Sequence, residues 1–453
     1  MATPAIAGRR IVVVGAGKSG RAAARLCHAL GGRVVLNDQR APIERGELNE
    51  EIELVGGGHD PAIFERAELI VLSPGVPKLA VVDEAIARGV PVTGEIELAS
   101  TLVYAPTLAI TGTNGKSTVT ALTGALLAGN GKPTFVGGNL GTPLADAIGT
   151  PAVGEDGQVV VELSSYQLET CETFHPRGAA LLNLTPDHLD RYASIEAYGE
   201  AKLRIAQRLD ARDVLVYNGD DVFFRAAVAR FTAPQRRSFS VRGRDADGFV
   251  DGDHLVLRLD REERYPIASL QLIGRHNLAN VLAALLLVRA TGMATFEQAL
   301  AGLATFTALP HRMQLVGSPR GVRYYDDSKA TNVDSVVAGI DGFPVPFVLI
   351  AGGRDKGGSY APLVEALARN RCTRVLLIGE AAPLIERALG TVIPSERCAT
   401  LQEAVTRGAS IAQPGEAVVL SPACSSFDMF DNYAHRGAAF RAAVESLPPK
   451  VTA

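Results

Sequence analysis

A glycine-rich loop at residues 112–118, Gly-Thr-Asn-Gly-Lys-Ser-Thr, carries the strongest chemical signal in the chain. It follows the apolar run 108–111 and precedes a helical pattern, so it joins a predicted strand to the start of a predicted helix. Glycines let backbone N–H groups approach phosphate oxygens, and a helix N-terminus favours negative charge. Lys116 would reach the β and γ phosphates, and the Ser117 hydroxyl would bind Mg²⁺. The loop predicts a triphosphate site, although the generic pattern has a glycine where this chain has Ile110.

Two further side chains follow predicted strands downstream of this loop. Glu162 ends the buried-strand run 159–161, and His188 follows the run 179–184. Because ligands gather at the carboxyl ends of parallel strands, both side chains could face the phosphate loop. A carboxylate at that place suits a hard cation that bridges phosphate oxygens. Taken alone, however, such a glutamate is more often a surface residue, and a lone histidine is more often structural.

Lys202 lies on a predicted helix, in the segment Tyr-Gly-Glu-Ala-Lys-Leu at residues 198–203. The residues alone favour an exposed helical lysine. An ammonium group cannot bind a metal, because it has no acceptor atom. The pattern by itself therefore assigns Lys202 no chemical role.

A second glycine-rich turn, Gly-Ala-Gly-Lys-Ser-Gly at residues 15–20, follows the strand-like run 11–14. Asp38 ends the next predicted strand, about twenty residues further on. On its own this arrangement predicts a dinucleotide site, and NAD would be the ligand. An NAD-dependent Rossmann oxidoreductase is therefore an alternative, which explains the first hundred residues and none of the other motifs.

Three α/β regions have to position these groups. In each one, short apolar runs end in glycine-rich or polar turns and are followed by helical patterns, which indicates parallel α/β units. We predict three domains, at residues 1–100, 101–309 and 310–453. Between residues 238 and 270 the pattern changes to alternation with an Asp-Gly-Asp turn at 251–253, which predicts a small antiparallel excursion.

Composition limits the classes of partner. The chain has 453 residues and a formal charge of -4, so neither nucleic acid nor an anionic membrane is an expected partner. The five cysteines are far apart, which argues against a disulfide framework or a thiolate metal site. The longest apolar run, residues 281–288, is too short to span a bilayer. We expect a cytoplasmic monomer that acts on small molecules.

Together these motifs resemble the Mur ligases and the related folylpolyglutamate synthases, whose nucleotide loop also lacks the first glycine. The resemblance extends along the whole chain. It rests on the loop at 112–118 and on the following segments: Glu-Leu-Ser-Ser at 162–165, Asn-Leu-Thr-Pro-Asp-His-Leu-Asp at 183–190, Leu-Pro-His-Arg at 309–312, Asp-Ser-Lys-Ala-Thr-Asn at 327–332, and Ser-Pro-Ala-Cys-Ser-Ser-Phe-Asp at 421–428.

The resemblance implies an ADP-forming amide ligase with ATP as co-substrate and two Mg²⁺ sites. Ser117 and Glu162 would hold one Mg²⁺. His188 and Lys202 would hold the other, with Lys202 converted by CO₂ to a carbamate that supplies oxygen ligands. Lys116 and Lys329 would contact the reacting phosphates. A binding protein with an inactive ATP site is disfavoured, because all of these catalytic positions are present.

The resemblance also implies a Rossmann-like UDP-binding domain, a central P-loop ATPase-type domain with a mostly parallel sheet, and a Rossmann-like C-terminal domain. The residues that would bind ATP are Gly112, Thr113, Asn114, Gly115, Lys116, Ser117, Thr118, Asn277, Asn280, Arg312 and Asp327. The residues that would bind the UDP-linked substrate are Gly15, Gly17, Lys18, Ser19, Asp38, Gln39, Arg40, Ser73, Gly75, Asn139, Ser164 and Gln167.

The amino acid that is added would be recognised by the C-terminal region. The Asp-Asn-Pro-Arg signature of the diaminopimelate-adding relatives is missing from the sequence, and the hinge at 309–312 and the run at 421–426 resemble the D-glutamate-adding branch. The implied acceptor substrate is UDP-N-acetylmuramoyl-L-alanine. Thr331 and Lys356 would pair with one D-glutamate carboxylate, and Ser426 and Tyr433 would frame the other. A folylpolyglutamate synthase is the nearest alternative in chemistry, and it would lack the UDP-binding first domain.

Overall fold

The computed structural model describes residues 6–139, 141–188, 191–270, 272, 274–307 and 309–447. It contains three β-sheets flanked by helices. The chain divides into two compact units, one made of Met1–Ser269 and Asn280–Thr305, the other of Leu270–Ala279 and Phe306–Ala453. The first two sheets belong to the first unit, and the third sheet belongs to the second unit.

The first sheet is parallel and has the strand order β3-β2-β1-β4-β5. Its strands are β1 (Arg10–Val14), β2 (Arg33–Asp38), β3 (Glu53–Gly56), β4 (Leu69–Leu72) and β5 (Val92–Gly94). Its helices are α1 (Lys18–Ala29), α2 (Pro61–Glu65), α3 (Ala80–Ala87) and α4 (Glu95–Ser100). Four consecutive residues of β1, Ile-Val-Val-Val, are fully buried, as expected for a parallel strand that is covered on both faces.

The second sheet has nine strands in the order β14-β13-β12-β11-β10-β9-β6-β8-β7. Its strands are β6 (Thr107–Thr111), β7 (Thr134–Gly138), β8 (Gln158–Glu162), β9 (Gly178–Leu181), β10 (Val214–Asn218), β11 (Gln235–Ser240), β12 (Gly248–Asp251), β13 (His254–Arg258) and β14 (Glu262–Pro266). Its helices are α5 (Lys116–Leu127), α6 (Ser165–Glu169), α7 (Ile195–Leu203), α8 (Val222–Ala227), α9 (Arg275–Ala290) and α10 (Phe296–Thr305).

The position of β6 between β8 and β9 brings the predicted site residues together. β6 pairs in parallel with β8 on one side and with β9 on the other, with Ile110 opposite both Glu162 and Ala180. The segments that follow these three strands therefore emerge side by side at one edge of the sheet. The predicted antiparallel excursion is also confirmed, because β12 and β13 are antiparallel and Gly252, between them, has a φ of 59°.

The first two sheets are joined through a buried carboxylate on α4. Glu97 accepts four hydrogen bonds from the segment that precedes β9: one from each backbone N–H of Glu172, Thr173 and Phe174, and one from the Thr173 hydroxyl, at 2.5–3.1 Å. On the same helix, Glu95 accepts a 2.7 Å hydrogen bond from the backbone N–H of Ala145. Both carboxylates thus fix the first region of the chain against the second.

The third sheet has the order β15-β16-β20-β17-β18-β19 and is parallel except for the β15–β16 pair. Its strands are β15 (Gln314–Gly317), β16 (Arg323–Asp326), β17 (Phe347–Gly352), β18 (Cys372–Ile378), β19 (Ser395–Arg397) and β20 (Ala417–Leu420). Its helices are α11 (Val333–Ile340), α12 (Ala361–Arg369), α13 (Ala382–Leu389), α14 (Leu401–Ile411) and α15 (Tyr433–Glu445).

The α/β class with three mostly parallel sheets confirms the fold predicted from the sequence. The exact domain boundaries, after residues 100 and 309, stay predictions. The apolar run 281–288 is buried inside α9. Within the described part of the chain, no helix combines the length and apolar character needed to cross a bilayer.

Candidate active site

The phosphate loop between β6 and α5 has a backbone that requires glycine at two positions. Gly112 has a φ of 156°, and Gly115, which precedes α5, has a φ of 85°. A side chain would also collide with neighbours there: a Cβ on Gly112 would approach the Cβ of Leu182 to 2.8 Å, and one on Gly115 would overlap the Oδ1 atom of Asn280. The loop conformation therefore depends on these two glycines.

Asn183, a residue to which sequence analysis gave no role of its own, holds this loop in place. Its side-chain Oδ1 accepts a 2.8 Å hydrogen bond from the backbone N–H of Asn114, and its Nδ2 donates a 2.9 Å bond to the Asn114 carbonyl. Its own carbonyl accepts from the backbone N–H of Thr113 at 2.8 Å. The available signal was its position just after β9, the strand beside β6.

The two candidate lysines of the second sheet converge on the phosphate loop. The Nζ of Lys116 donates to the carbonyl oxygens of Gly112 and Thr113 at 2.9 and 2.8 Å. The Nζ of Lys202 donates to the same Gly112 carbonyl at 2.8 Å. Lys202 is 1% exposed, so the interpretation as a surface lysine, made from the helical pattern alone, is wrong. The cause is tertiary, because α7 packs this side chain towards a loop ninety residues earlier.

The surroundings of Lys202 favour its neutral form. Burial lowers the pKa of Lys202 well below its ordinary value, and the positive charge of Lys116 lowers it further. The carboxylates of Asp187 and Glu162 act in the opposite direction and do not restore it. The Lys202 ammonium also lies 4.1 Å from the centre of the Tyr198 ring, which covers it. The amine at this position is thus easier to deprotonate than that of an ordinary lysine.

Glu162, at the end of β8, supplies a carboxylate oxygen with spare binding capacity. Its Oε1 accepts a 2.7 Å hydrogen bond from the Nδ2 of Asn139. Its Oε2 is buried and has no hydrogen-bond partner among the described residues. Ser117, whose hydroxyl would be the other ligand, is 3% exposed and lies in the first turn of α5. A buried, unpartnered carboxylate oxygen near a phosphate loop fits a divalent cation, which would satisfy it.

His188 has a left-handed backbone, with a φ of 55°, and its carbonyl accepts hydrogen bonds from the N–H groups of Arg191 and Tyr192 at 3.0 and 3.1 Å. Its ring lies 5.0 Å from the ring of Tyr166 and 5.8 Å from that of Tyr198. Since Tyr198 also covers Lys202, the two predicted ligands of the second metal site share one aromatic neighbour. Leu189 and Asp190 of the same motif lie outside the described residues.

Ser164 and Gln167 form the N-terminal capping box of α6. The Ser164 hydroxyl accepts from the backbone N–H of Gln167 at 3.2 Å, and the Gln167 Oε1 accepts from the backbone N–H of Ser164 at 2.9 Å. Both residues therefore have a structural function at the start of this helix. Their predicted contact with the substrate stays a prediction.

The turn after β1 carries the predicted UDP-binding residues. Asp38, at the end of β2, accepts hydrogen bonds from the backbone N–H groups of Ala16 at 2.7 Å and Arg40 at 2.9 Å. Desolvation raises the pKa of Asp38, but these two N–H groups together with the hydrogen bond and the charge of the Arg40 side chain outweigh it, and the net pKa is lowered. Ser73 closes the turn from β4 by donating to the Gly15 carbonyl at 2.9 Å. Exposed around the turn are Gly17, Lys18, Gln39, Arg40 and Gly75, whereas Ser19 is partly buried.

In the second unit, Lys329 and Tyr433 form a cation–π pair, with the Nζ 5.2 Å from the ring centre. The backbone N–H of Thr331 donates to the Lys329 carbonyl at 3.0 Å. The hydroxyl of Ser328 donates to the Tyr433 carbonyl at 2.8 Å, which ties the segment before α11 to the start of α15. The structure therefore places Lys329, a predicted phosphate contact, in one neighbourhood with Thr331 and Tyr433, two predicted D-glutamate contacts.

Arg436, another residue without an assigned role from sequence, holds this neighbourhood together. It is 1% exposed, and its guanidinium donates to the hydroxyl and the carbonyl of Ser328 at 3.0 and 2.9 Å. It also donates to the Cys424 carbonyl at 3.1 Å, just before Ser426, which is 2% exposed. Burial lowers the pKa of Arg436 to about 10.

The remaining predicted ligand contacts are distributed along the chain. Lys356 is exposed in the loop after β17, close in sequence to Arg354, which pairs with Ser425 through two backbone hydrogen bonds. Asp327 is buried after β16 and accepts a 2.6 Å hydrogen bond from Ser421. Asn277 and Asn280 are one turn apart on α9 and both buried, and Arg312 follows the 309–311 hinge.

Family models match three consecutive parts of the chain. The Mur ligase MurD-like N-terminal domain matches residues 9–94. The Mur ligase middle domain matches residues 110–288. The Mur ligase glutamate ligase domain matches residues 311–424.

Curated proteins are similar to this chain over nearly its full length. The UDP-N-acetylmuramoylalanine--D-glutamate ligase of Anaeromyxobacter dehalogenans is 46% identical, over 97% of this chain and 98% of that protein. The proteins of the same name from Geobacter metallireducens and Myxococcus xanthus are 44% and 43% identical, each over 98% of this chain and over 98% and 100% of their own lengths.

Solved structures share the fold at lower identity. The UDP-N-acetylmuramate-alanine ligase MurC of Thermotoga maritima is 19% identical with a TM-score of 0.61, over 97% of this chain and 99% of that one. MurF of Acinetobacter baumannii is 17% identical with a TM-score of 0.63, over 98% and 92%. With the three domain models in order and relatives of 43–46% identity along almost its entire length, the chain belongs to the Mur ligase family.

Proposed function

We propose that this enzyme joins D-glutamate to UDP-N-acetylmuramoyl-L-alanine and converts ATP to ADP and phosphate. The observation that carries the proposal is the group formed by Lys116, Lys202 and Glu162 around the phosphate loop, in a chain that resembles D-glutamate ligases from end to end. The NAD-dependent alternative accounts for the first sheet alone and for none of this group.

The reaction requires activation of a carboxylate, because a carboxylate cannot expel an oxide ion. The L-alanyl carboxylate attacks the γ-phosphorus of ATP, ADP leaves, and an acyl phosphate forms. The amine of D-glutamate then attacks the acyl carbon, loses a proton, and expels phosphate as the amide forms. Two anions meet in the first step, so electrostatic stabilisation at the phosphate loop should be the largest contribution to the rate.

Residues of the second sheet can provide that stabilisation. Lys116 lies at the start of α5, where its ammonium can turn from the loop carbonyls towards a bound phosphate. Glu162 and Ser117 would hold a Mg²⁺ ion, whose chemistry is charge neutralisation of the phosphate oxygens. Asn139 fixes the Glu162 carboxylate through its other oxygen and leaves Oε2 available. Asn139, Ser164, Gln167 and His188 would position the muramoyl-alanine end.

Lys202 would act as a carbamate. A neutral amine reacts with CO₂ to form a carbamate and releases one proton, so a lowered pKa promotes the modification at neutral pH. Burial beside Lys116 provides that lowered pKa. The carbamate oxygens, together with His188, would hold a second Mg²⁺, and the negative charge of the carbamate would be attracted to the Lys116 ammonium.

The two other substrates would bind outside this group. The UDP part would occupy the turn after β1, where Asp38, Ser73 and the exposed residues around Gly17 lie. D-Glutamate would bind to Lys356 and Thr331 through one carboxylate and to Ser426 and Tyr433 through the other. Asn277, Asn280, Arg312, Asp327 and Lys329 would complete the ATP site. We further propose a cytoplasmic monomer without nucleic-acid or membrane partners.

The decisive experiment is phosphate release from ATP with UDP-N-acetylmuramoyl-L-alanine and one amino acid at a time. D-Glutamate should support turnover at least a hundredfold faster than L-glutamate, L-lysine or diaminopimelate. Omission of the UDP-linked substrate should abolish it. Equal rates with several amino acids, or turnover with a folate acceptor instead, would refute the proposal.

A further inference from the structure

Arg191, which lies between β9 and α7, connects the first sheet's nucleotide turn to the second sheet's catalytic group. Its Nη1 donates to the carbonyl of Val76 at 3.0 Å, and its Nη2 donates to the Oε2 of Glu169 at 2.6 Å. Val76 follows β4 in the first region, whereas Glu169 ends α6 in the second. One guanidinium thus bonds to both regions at once.

On the side of the second sheet, Arg191 is packed into the surroundings of His188. Its Cζ lies 4.4 Å from the centre of the Tyr166 ring, and the centre of the His188 ring lies 5.0 Å from the centre of the same tyrosine ring. Tyr192 stacks on Tyr166 at 6.0 Å and donates its hydroxyl to Glu169 at 2.6 Å. Arg191 therefore orients the ring against which the histidine packs.

On the side of the first sheet, the contact continues to the glycine turn. The backbone N–H of Val76 donates to the Ser73 carbonyl at 3.1 Å, and the Ser73 hydroxyl donates to the Gly15 carbonyl at 2.9 Å. A shift of Val76 would consequently displace the residue that closes the turn. A continuous series of contacts leads from Gly15 to His188 through Arg191.

The ion pair between Arg191 and Glu169 is better suited to positioning its neighbours than to stabilising the fold. The side chains of Arg191 and Glu169 are each 30% exposed, and an ion pair that is partly exposed in this way stabilises a fold only slightly. Arginine is nevertheless suited to this place, because its planar group can donate in two directions and stack on an aromatic ring at the same time. Lysine cannot do all three.

We propose that Arg191 is a positioning residue that couples UDP recognition to the alignment of the acyl end at His188. The inference rests on the proposed function, since it assumes that one substrate bridges the glycine turn and the phosphate loop. It adds a residue that acts through others, Val76 and Tyr166, and touches no reacting atom itself.

The test compares Arg191→Ala with Arg191→Lys and with the matched control Arg230→Ala, which removes an exposed arginine–glutamate pair elsewhere on the second region. Calorimetry should show about tenfold weaker binding of UDP-N-acetylmuramoyl-L-alanine to Arg191→Ala and a clearly smaller loss for UDP, because UDP would reach only the turn and not the acyl end. The kcat should fall about ten- to a hundredfold with the KM for ATP unchanged, since misalignment of roughly 1 Å costs that much. Arg191→Lys should recover only part of the loss.

Three results would overturn the inference: equal affinity of wild type and Arg191→Ala for the complete substrate, equal weakening for UDP and the complete substrate, or full recovery with lysine. Thermal unfolding of all variants within about 2 °C of wild type excludes a general folding defect, and Tyr166→Ala, which removes the stacked ring, should reproduce the kcat loss if Arg191→Ala does not fold. If wild type binds the complete substrate but shows no D-glutamate turnover, the proposed function fails, and the binding comparison still decides the role of Arg191.

Discussion

Lys116 and Lys202 donate to one and the same acceptor, the Gly112 carbonyl, at 2.9 and 2.8 Å. Two positive side chains directed at one oxygen repel each other, and the pKa of Lys202 is lowered partly for this reason. The arrangement favours a change in which one of them loses its charge or is drawn away by phosphate.

Lys116→Ala removes the cation that, in the proposed function, would face the transferred phosphoryl group. We expect kcat to fall on the order of a hundredfold or more, or about 3 kcal/mol of transition-state stabilisation. Phosphate release under saturating substrates measures this. Lys132→Ala, which changes an exposed lysine at a distance from the loop in sequence, is the control and should behave as wild type. Near-normal turnover by a folded Lys116→Ala variant would show that the loop does not bind a triphosphate as proposed.

Lys202→Ala should lose most activity, on the order of a hundredfold, because the variant could not form the proposed carbamate and its oxygen ligands. Acetate or another short carboxylate should restore part of it by occupying the vacated oxygen site. Lys202→Arg, whose group forms no stable carbamate, should be inactive and should gain nothing from acetate. Activity assays with increasing acetate should therefore separate Lys202→Ala from Lys202→Arg. A fully active Lys202→Ala variant would contradict the proposal that Lys202 acts as a carbamate.

Lys356→Ala should impair use of D-glutamate and spare ATP. A lysine bonded to a carboxylate contributes roughly 1.5–3 kcal/mol, so the KM for D-glutamate should rise about ten- to a hundredfold. Steady-state kinetics with each substrate varied separately measures the two KM values. Arg369→Ala, which removes an exposed cation on α12, is the control. An equal rise in the KM for ATP and the KM for D-glutamate would contradict the assignment of Lys356 as the residue that binds a D-glutamate carboxylate.

Asp327 should make the stability of the second unit depend on pH. Burial raises its pKa from 3.8 to about 7, despite the Ser421 hydroxyl and the charge of Arg312. The folded state therefore binds more protons than the unfolded state between these values, and stability should fall as pH rises from about 4 to about 7. Asp327→Asn should flatten this dependence in thermal scans, whereas the exposed Asp341→Asn should not. Identical pH profiles for wild type and Asp327→Asn would contradict the raised pKa.

Glu97→Ala should destabilise the first unit, because three backbone N–H groups and one hydroxyl lose their acceptor. We expect the free energy of unfolding to fall by about 2–4 kcal/mol, which calorimetry would detect as a lower unfolding temperature. Glu97→Gln, which keeps one carbonyl oxygen, should be intermediate. Glu172→Ala, which removes an exposed carboxylate on the donating segment and keeps its backbone N–H, serves as the control. An unchanged unfolding temperature for Glu97→Ala would mean that water replaces the carboxylate.

Local sequence patterns predicted the elements that depend on local order. The apolar run of β1, the Asp-Gly-Asp turn before β13 and the strand–loop–helix around Lys116 follow from hydrophobic periodicity and turn chemistry. Glu162 was predictable for a related reason, because carboxyl ends of parallel strands meet at one edge of a sheet.

The features that local sequence patterns did not predict depend on contacts between segments that are distant in sequence. Lys202 has the spacing of a surface residue, and its burial follows only from the packing of α7 near the phosphate loop. Asn183 and Arg436 act through backbone groups of loops whose conformations no periodicity encodes. Their roles became visible only when the hydrogen-bond partners were known.

The carboxylate of Glu97 gives the first two regions a further property. Because it fixes α4 against the segment before β9, it helps to hold the turn at Gly15 and the loop at Gly112 at a defined separation. A ligand that has to reach from the turn to the phosphate loop is thus selected by its length. Under the proposed function, a substrate that is one sugar shorter or one residue longer would therefore place its carboxylate away from the reacting phosphorus, even if its uridine bound equally well.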